Sequence, residues 1–340
     1  MAKTFTKFAP KAAVRGARKL VLHYLKKAEE AAQRLQDPDD AEALHDVRVA
    51  LRHVRTYLAT YRKLFAQAIS PATLDALRDI AHLTNPARDA EVQAAWLADQ
   101  PQVRENPSGG AARLHSRLKE RQAGLMRESR ERFAHDLHPL ATRLRWELDQ
   151  ATNKGQGTFG RATAKQVMRR GKRLRERLDR IEGVADVAGV HKARIAAKRV
   201  RYLLEPFKDL GRAHEPAMYL EDLQDILGEM HDLHVLLETM AGEPTRAQPP
   251  GQHFEASALA PLATKARERL SSLYSQVDRD WRSPAGARLD KAVIQAASVL
   301  RKAGRKKSPA PLTTSEVDRA LSHLGAGGGG SPHAEARPQA

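Results

Sequence analysis

The sequence predicts an all-α protein made of two similar bundles of four helices each, joined in tandem. Three observations carry the prediction. Apolar residues recur at helical spacing along the chain, and no segment alternates as a strand would. Polar, glycine- and proline-rich stretches punctuate the periodic ones. The chain also repeats itself: at a shift of 146 residues Arg15 matches Arg161, Lys19 matches Lys165, Lys26 matches Lys172, Arg34 matches Arg180, His45 matches His191, Val54 matches Val200, Leu58 matches Leu204 and Tyr61 matches Phe207. After a slip to 143, Leu77 pairs with Leu220, Leu83 with Ile226, Asp89 with Asp232 and Val92 with Val235. A gapless register followed by a short slip in a loop is what a tandem duplication leaves.

Taken in order, residues 1–10 carry no apolar signal-peptide core and are expected to be unordered. The first bundle spans 11–150. Its second helix carries Val47, Leu51, Val54, Leu58 and Phe65 at i, i+4, i+7 spacing, an apolar stripe for the core. Pro71 suits the first turn of the next helix after Ser70, and Asn85-Pro86 marks a break within that helix. Residues 106–110 read as a loop, and an Arg-rich helix follows over 111–150. Residues 153–160 read as a linker, the second bundle spans 160–303 with a loop at 241–252, and 304–340 reads as a disordered tail. At 340 residues there is room for two domains, each with its own core.

The charge is lopsided: 58 Lys and Arg against 41 Asp and Glu give a formal +17. Such an excess points to an acidic partner. No cysteine is present, which removes disulfides, thiolate nucleophiles and zinc–thiolate sites. No apolar run approaches a membrane span, so a soluble cytosolic protein is expected, with no cofactor.

The cations are organised. His45, Arg48, Arg52 and Arg55 fall at offsets 0, 3, 7 and 10, as do His191, Arg194, Lys198 and Arg201. At about 100° per residue each set shares one narrow arc of its helix, beside the apolar stripe. The preceding helix of each half carries a second stripe: Arg15, Lys19, His23 and Lys26, then Arg161, Lys165, Arg169 and Lys172. Were these helices packed antiparallel, all four stripes would line one groove. Guanidinium forks match phosphate oxygens, and closely spaced anions release counterions on binding, so a chain of phosphates suits such a surface. The plainer alternative is a set of solvated faces paired with Glu or Asp, with the histidines packed between helices.

Other chemistries compete. His45-Asp46, His135-Asp136 and His231-Asp232 resemble the His-Asp pairs of metal-dependent phosphohydrolases, but Lys192 replaces Asp46 in the second copy. No G-x-x-x-x-G-K-[ST] phosphate loop is present to phosphorylate a histidine. Nucleic acid is the stronger rival, because arginine-rich helices bind any phosphate backbone. Aromatics make up only 5% of the chain and none interleaves the stripes to stack on bases, which predicts weak, salt-sensitive binding.

The segments A-L-H-D-V-R-V-A-L-R-H-V-R and G-V-H-K-A-R-I-A-A-K-R-V-R-Y-L-L-E, with N-P-A-R-D-A-E-V at 85–92 and L-Q-D-I-L-G-E-M-H-D-L-H-V at 223–235, resemble the CHAD (conserved histidine α-helical domain) family over about residues 11–303. The resemblance implies two four-helix bundles related by a pseudo-twofold axis around a basic groove or pore. It also implies binding of long inorganic polyphosphate, often at polyphosphate granules in bacteria, and the protein is expected to be non-enzymatic. The residues it points to are His45, Arg48, Arg52, Arg55, His191, Arg194, Lys198 and Arg201, with the preceding-helix cations second. The E-x-E-x-K signature of the triphosphate-tunnel domain fused to some relatives is not found. Oligomeric state is not implied.

Overall fold

The computed structural model describes residues 3–37, 40, 42–152, 157–242 and 256–305. Among them are ten helices longer than a single turn: α1 (Ala13–Arg34), α2 (Glu42–Thr60), α3 (Pro71–His82), α4 (Asn85–Ala98), α5 (Gly110–Asp149), α6 (Phe159–Asp179), α7 (Val187–Leu204), α8 (Glu215–Gly242), α9 (Ala256–Trp281) and α10 (Ala287–Ala303). No strand is formed among these residues beyond one isolated bridge, Ala12 to Thr158.

Local chemistry sets the helix starts. Asp40 accepts hydrogen bonds from the backbone of Glu42 (3.1 Å) and Ala43 (3.0 Å) ahead of α2, and Asp186 caps α7 through Gly189 N at 2.8 Å. Ser70 caps α3 through Thr73 N with Pro71 behind it. The expected break at Asn85-Pro86 separates α3 from α4, whereas the second half runs through its counterpart as the single helix α8.

The halves are related by a pseudo-twofold axis, and several helices pack on their own counterparts: α1 on α6, α2 on α7, α4 on α8. The bridge between Ala12 and Thr158 joins residues 146 apart, so each strand-like segment pairs with its own copy, as an isologous contact requires. Ala13 N donates to Gly157 O at 3.0 Å and Phe159 N to Lys11 O at 2.8 Å. Phe159 then lies 5.6 Å from both Tyr61 and Phe207, ring to ring. That approach needs Gly16, where an added Cβ would sit 2.2 Å from Phe159 Cγ.

Some expectations are corrected. The bundles do not hold separate cores: one apolar cluster runs from Phe5 through Tyr57 and Phe207 to Leu300. The described part of 1–10 is not unordered, because Lys3–Thr6 forms a helical turn and Phe5 and Ala9 are buried. The linker at 153–160 ends earlier than expected; Thr158, Phe159 and Gly160 are buried, while 153–156 lie outside the described residues. Gly304 packs against Gly160, where an added Cβ would lie 2.9 Å from Gly304 Cα. The remaining tail, 306–340, lies outside the described residues, as does 243–252 of the expected loop, whose residues 241 and 242 instead end α8.

The last helices differ between halves. α5 is one unbroken helix through Pro139, whereas the second half bends at Arg282–Gly286 into α9 and α10. Arg175 holds that elbow, donating to Gly286 O (2.7 Å) and Asp290 (3.0 Å). Its counterpart in the first half, at the shift of 146, is Glu29, which accepts from Arg145 of α5 at 2.9 Å.

Candidate functional site

The Arg arc of α2 and the cationic arc of α7 meet where these helices pack on one another at the pseudo-twofold interface. Arg48 is half-buried and donates to the carbonyl of Thr84, at the break before α4. Burial, then Arg52 and Arg88, push its guanidinium down to about 10. Arg52 reaches across the interface to Tyr202 Oη at 3.4 Å. Arg55 donates to His82 Nε2 at 3.2 Å.

From α7, Arg194 and Arg201 are half-buried, and the buried Nε of each has no hydrogen-bond partner. Arg201 lies over the Tyr202 ring, 5.5 Å from its centroid. Lys198 is more perturbed. Burial, then Arg194 and Arg52, push its ammonium down to about 6. Burial lowers His191 too, with Arg194 and Lys198 adding to it. The His191 ring sits 5.0 Å from His231, which burial and then Arg194 push down to about 4.

Two carboxylates stand near these cations. Asp89 and Asp232 are held above the usual range, chiefly by burial, although Arg48 and Arg194 pull the first down and Arg194 and Arg88 the second. Neither approaches within ion-pair distance of the cluster: among the described residues Arg48, Arg52, Arg55, Arg194, Lys198 and Arg201 form no salt bridge. These residues are therefore not solvated faces neutralised by Glu or Asp. They are like charges crowded in a partly dry place, a state that a bound anion relieves.

The sequence-predicted residues divide accordingly. Arg48, Arg52, Arg194, Lys198, Arg201 and His191 come together, and Arg55 borders them. His45 is exposed, and its neighbour Asp46 is bound by Arg34 at 2.6 Å. The first-helix stripes make no direct contact with this cluster among the described residues. Arg15, Lys19, Lys26, Arg161, Lys165, Arg169 and Lys172 are all exposed, and no hydrogen bond or ion pair joins them to the cluster. Lys26 pairs with Glu30 at 3.3 Å. Lys19 and Lys26, with His23, edge a different depression of about 1120 Å³ between α1 and α5, floored by Leu22, Phe133 and Leu137. Helix phase accounts for their exposure: α6 buries Thr163, Val167, Gly171 and Leu174, leaving Arg161, Lys165 and Lys172 pointing away from the apolar interior.

Sequence reasoning missed Arg88, Arg170, Arg199 and Tyr202, and weighed His231 only as part of a His-Asp pair. Asp89 and Asp232 stood in the repeat register without being assigned a place at the site. Arg170 comes from α6 and donates to Thr60 Oγ1 at 2.8 Å. His53, inside the first motif, is buried; its Nε2 lies 3.0 Å from Glu205 and its ring stacks on Tyr24 at 4.2 Å. Of the His-Asp dipeptides, His231-Asp232 lies at the cluster, whereas Asp136 is bound by Arg132 at 2.9 Å, and among the described residues no three His, Asp or Glu side chains converge as metal ligands. No described helix is long and apolar enough to cross a membrane.

Comparison with known proteins gives a family match and a fold match. The model of the CHAD domain family matches residues 15–241. Two uncharacterized proteins of Mycobacterium tuberculosis, from strains CDC 1551 and H37Rv, are each 26% identical over 263 residues, covering 71% of this chain and 49% of their own length. The chain thus spans about half the length of these relatives. Among solved structures, the CHAD domain from the plant Ricinus communis superposes with a TM-score of 0.63 at 22% identity, covering 85% of this chain and 92% of that one. PptA from Streptomyces chartreusis gives 0.60 at 14% identity, covering 79% and 100%. At these identities the structural likeness is one of fold.

Proposed function

This chain belongs to the CHAD domain family, and we propose that it binds inorganic polyphosphate, without turning it over, in the cationic groove where α2 meets α7. The observation that carries this reading is the crowd of Arg48, Arg52, Arg194, Lys198 and Arg201, partly buried and free of ion pairs, with the buried Nε of Arg194 and of Arg201 lacking any partner. Buried donors of this kind are satisfied by an acceptor with many oxygens and much charge.

A phosphate chain meets both needs. Each Arg fork takes two oxygens of one phosphate, and Lys198 regains its proton as the anion arrives. The groove's work is to hold the anion. Following the family resemblance, the protein acts in the cytoplasm at polyphosphate granules. The aromatic residue of the groove favours polyphosphate over nucleic acid: Tyr202 is 3% exposed, and its face is closed to an incoming base.

Competition tests the reading. Labelled long-chain polyphosphate bound to the protein at physiological salt is challenged with duplex DNA and with RNA at matched phosphate concentration. Polyphosphate is expected to remain bound; displacement by either nucleic acid would replace this reading with the nucleic-acid one.

A further inference from the structure

The pseudo-twofold axis builds one corner of the interface twice, and the two copies differ in charge. In one copy Glu205 supplies a carboxylate. His53 Nε2 lies 3.0 Å from it, Tyr24 Oη donates to it at 3.4 Å, and Arg201 acts on it electrostatically. Lys27 stands over the Tyr24 ring at 5.5 Å. The repeat register converts each of these positions. His53 becomes Arg199, Tyr24 becomes Arg170, Lys27 becomes Arg173, and Arg201 corresponds to Arg55. The position of Glu205 is taken in the other copy by Ala59.

One copy therefore carries its own anion, while the other has four arginines and no carboxylate in the anion's place. The four act on one another. Arg55 feels Arg199, Arg170 feels Arg199 and Arg173, and Arg199 feels Arg173. Arg170 is tied by one guanidinium nitrogen to Thr60, and its buried Nε has no hydrogen-bond partner. Like charges so placed, around a point where the symmetry mate holds a carboxylate, make an oxyanion site.

We propose that Arg55, Arg170, Arg173 and Arg199 form a second site for a phosphate group, at the place marked by Glu205 in the symmetry-related copy. It rests on the polyphosphate reading of the central groove in one respect: its natural occupant is a further phosphate of the same chain, led out of the groove by Arg55, which also feels Arg52. The site makes the protein favour chains long enough to reach both places. It also makes binding lopsided, since the Glu205 copy offers the chain a carboxylate instead.

Ala59 is exposed, so Ala59→Glu supplies the missing carboxylate without disturbing the core, and Ala59→Gln is its neutral match. Each is titrated by calorimetry with inorganic pyrophosphate and with long-chain polyphosphate over a salt series. In Ala59→Glu the pyrophosphate stoichiometry should fall by one. Its long-chain affinity should drop about tenfold, with the slope of log affinity against log salt shallower by about two. Ala59→Gln should match the wild type. An Arg173→Ala/Arg199→Ala variant, which leaves the Arg170–Thr60 bond alone, should behave as Ala59→Glu does. If Ala59→Glu and Ala59→Gln are indistinguishable with both probes, the second site is wrong. A pyrophosphate site lost only in Ala59→Glu, in a protein that prefers DNA to polyphosphate, would uphold the site and overturn the polyphosphate reading. No binding of either probe by the wild type would overturn both.

Discussion

At pH 7 the amine of Lys198 sits where burial, Arg194 and Arg52 have pushed it down to about 6, so most molecules hold it uncharged. In the unfolded chain the same group has its ordinary value of 10.5. Between these values the unfolded state binds the extra proton, so stability rises with pH across the window from 6 to 10.5 and is lowest at and below 6. A fully shielded group would cost about 5 kcal/mol at pH 7, and water at the half-exposed side chain reduces this to about 2 kcal/mol. Lys198→Met keeps the length of the side chain and removes the titration. It is expected to stabilise the protein by about 2 kcal/mol at pH 7, with the gain larger at pH 6 and almost gone at pH 10. The same variant should bind long polyphosphate about tenfold more weakly at pH 6, and its affinity should no longer fall as pH rises above 6, because the wild type takes up a proton on binding. Urea denaturation at several pH values, with calorimetry in buffers of different ionisation enthalpy, reads both effects. A Lys198→Met protein that is less stable than wild type, or whose gain is equal at pH 6 and pH 9, would refute the reasoning.

Asp232→Asn removes a negative charge beside Arg194 and Lys198 and should raise polyphosphate affinity about threefold at pH 7. Because burial holds the Asp232 carboxyl above its usual range, the wild type should approach the variant as pH falls through that raised value; titrations by fluorescence anisotropy at pH 4.5 and pH 7 decide this. Gly16→Ala places a Cβ 2.2 Å from Phe159 Cγ, and thermal melts should show a loss of about 1–3 kcal/mol. Glu205→Ala leaves Nε2 of buried His53 without its partner and should cost about 1–3 kcal/mol in urea denaturation; an unchanged midpoint would mean that the 3.0 Å contact contributes nothing.

The fold was largely legible because the features that fix it are local and repeated. The Val47-to-Leu58 stripe, Ser70-Pro71, Asn85-Pro86 and the doubled His-led motif each act over a few residues, and helices that the repeat register makes counterparts turn out to pack on one another. The shared core was not legible. Phe5 and Ala9 look like any polar terminus until the second half is laid against them, and Thr158-Phe159 reads as a linker until Gly16 is seen to admit the ring. Half of the candidate site followed from spacing, because Arg48, Arg52, Arg194 and Arg201 must share an arc. Spacing alone, however, cannot say which neighbour an arc faces, and so Lys19 and Lys26, expected in the groove, edge the depression between α1 and α5. Arg170 and Arg199 escaped for the opposite reason. A search for repetition finds what two copies share, and these stand where the copies differ, opposite Tyr24 and His53.

The most direct test is the affinity of long-chain polyphosphate for a protein in which Arg52, Arg194 and Arg201 are replaced by Gln, measured at physiological salt beside a control in which exposed Arg161, Lys165 and Lys172 are changed to Gln. Both variants lose the same net charge. Binding should be lost in the first, with helical content retained, and should weaken only slightly in the second. Equal weakening in the two would mean that the chain attracts polyanions by its overall charge, and that the groove between α2 and α7 is not the binding site.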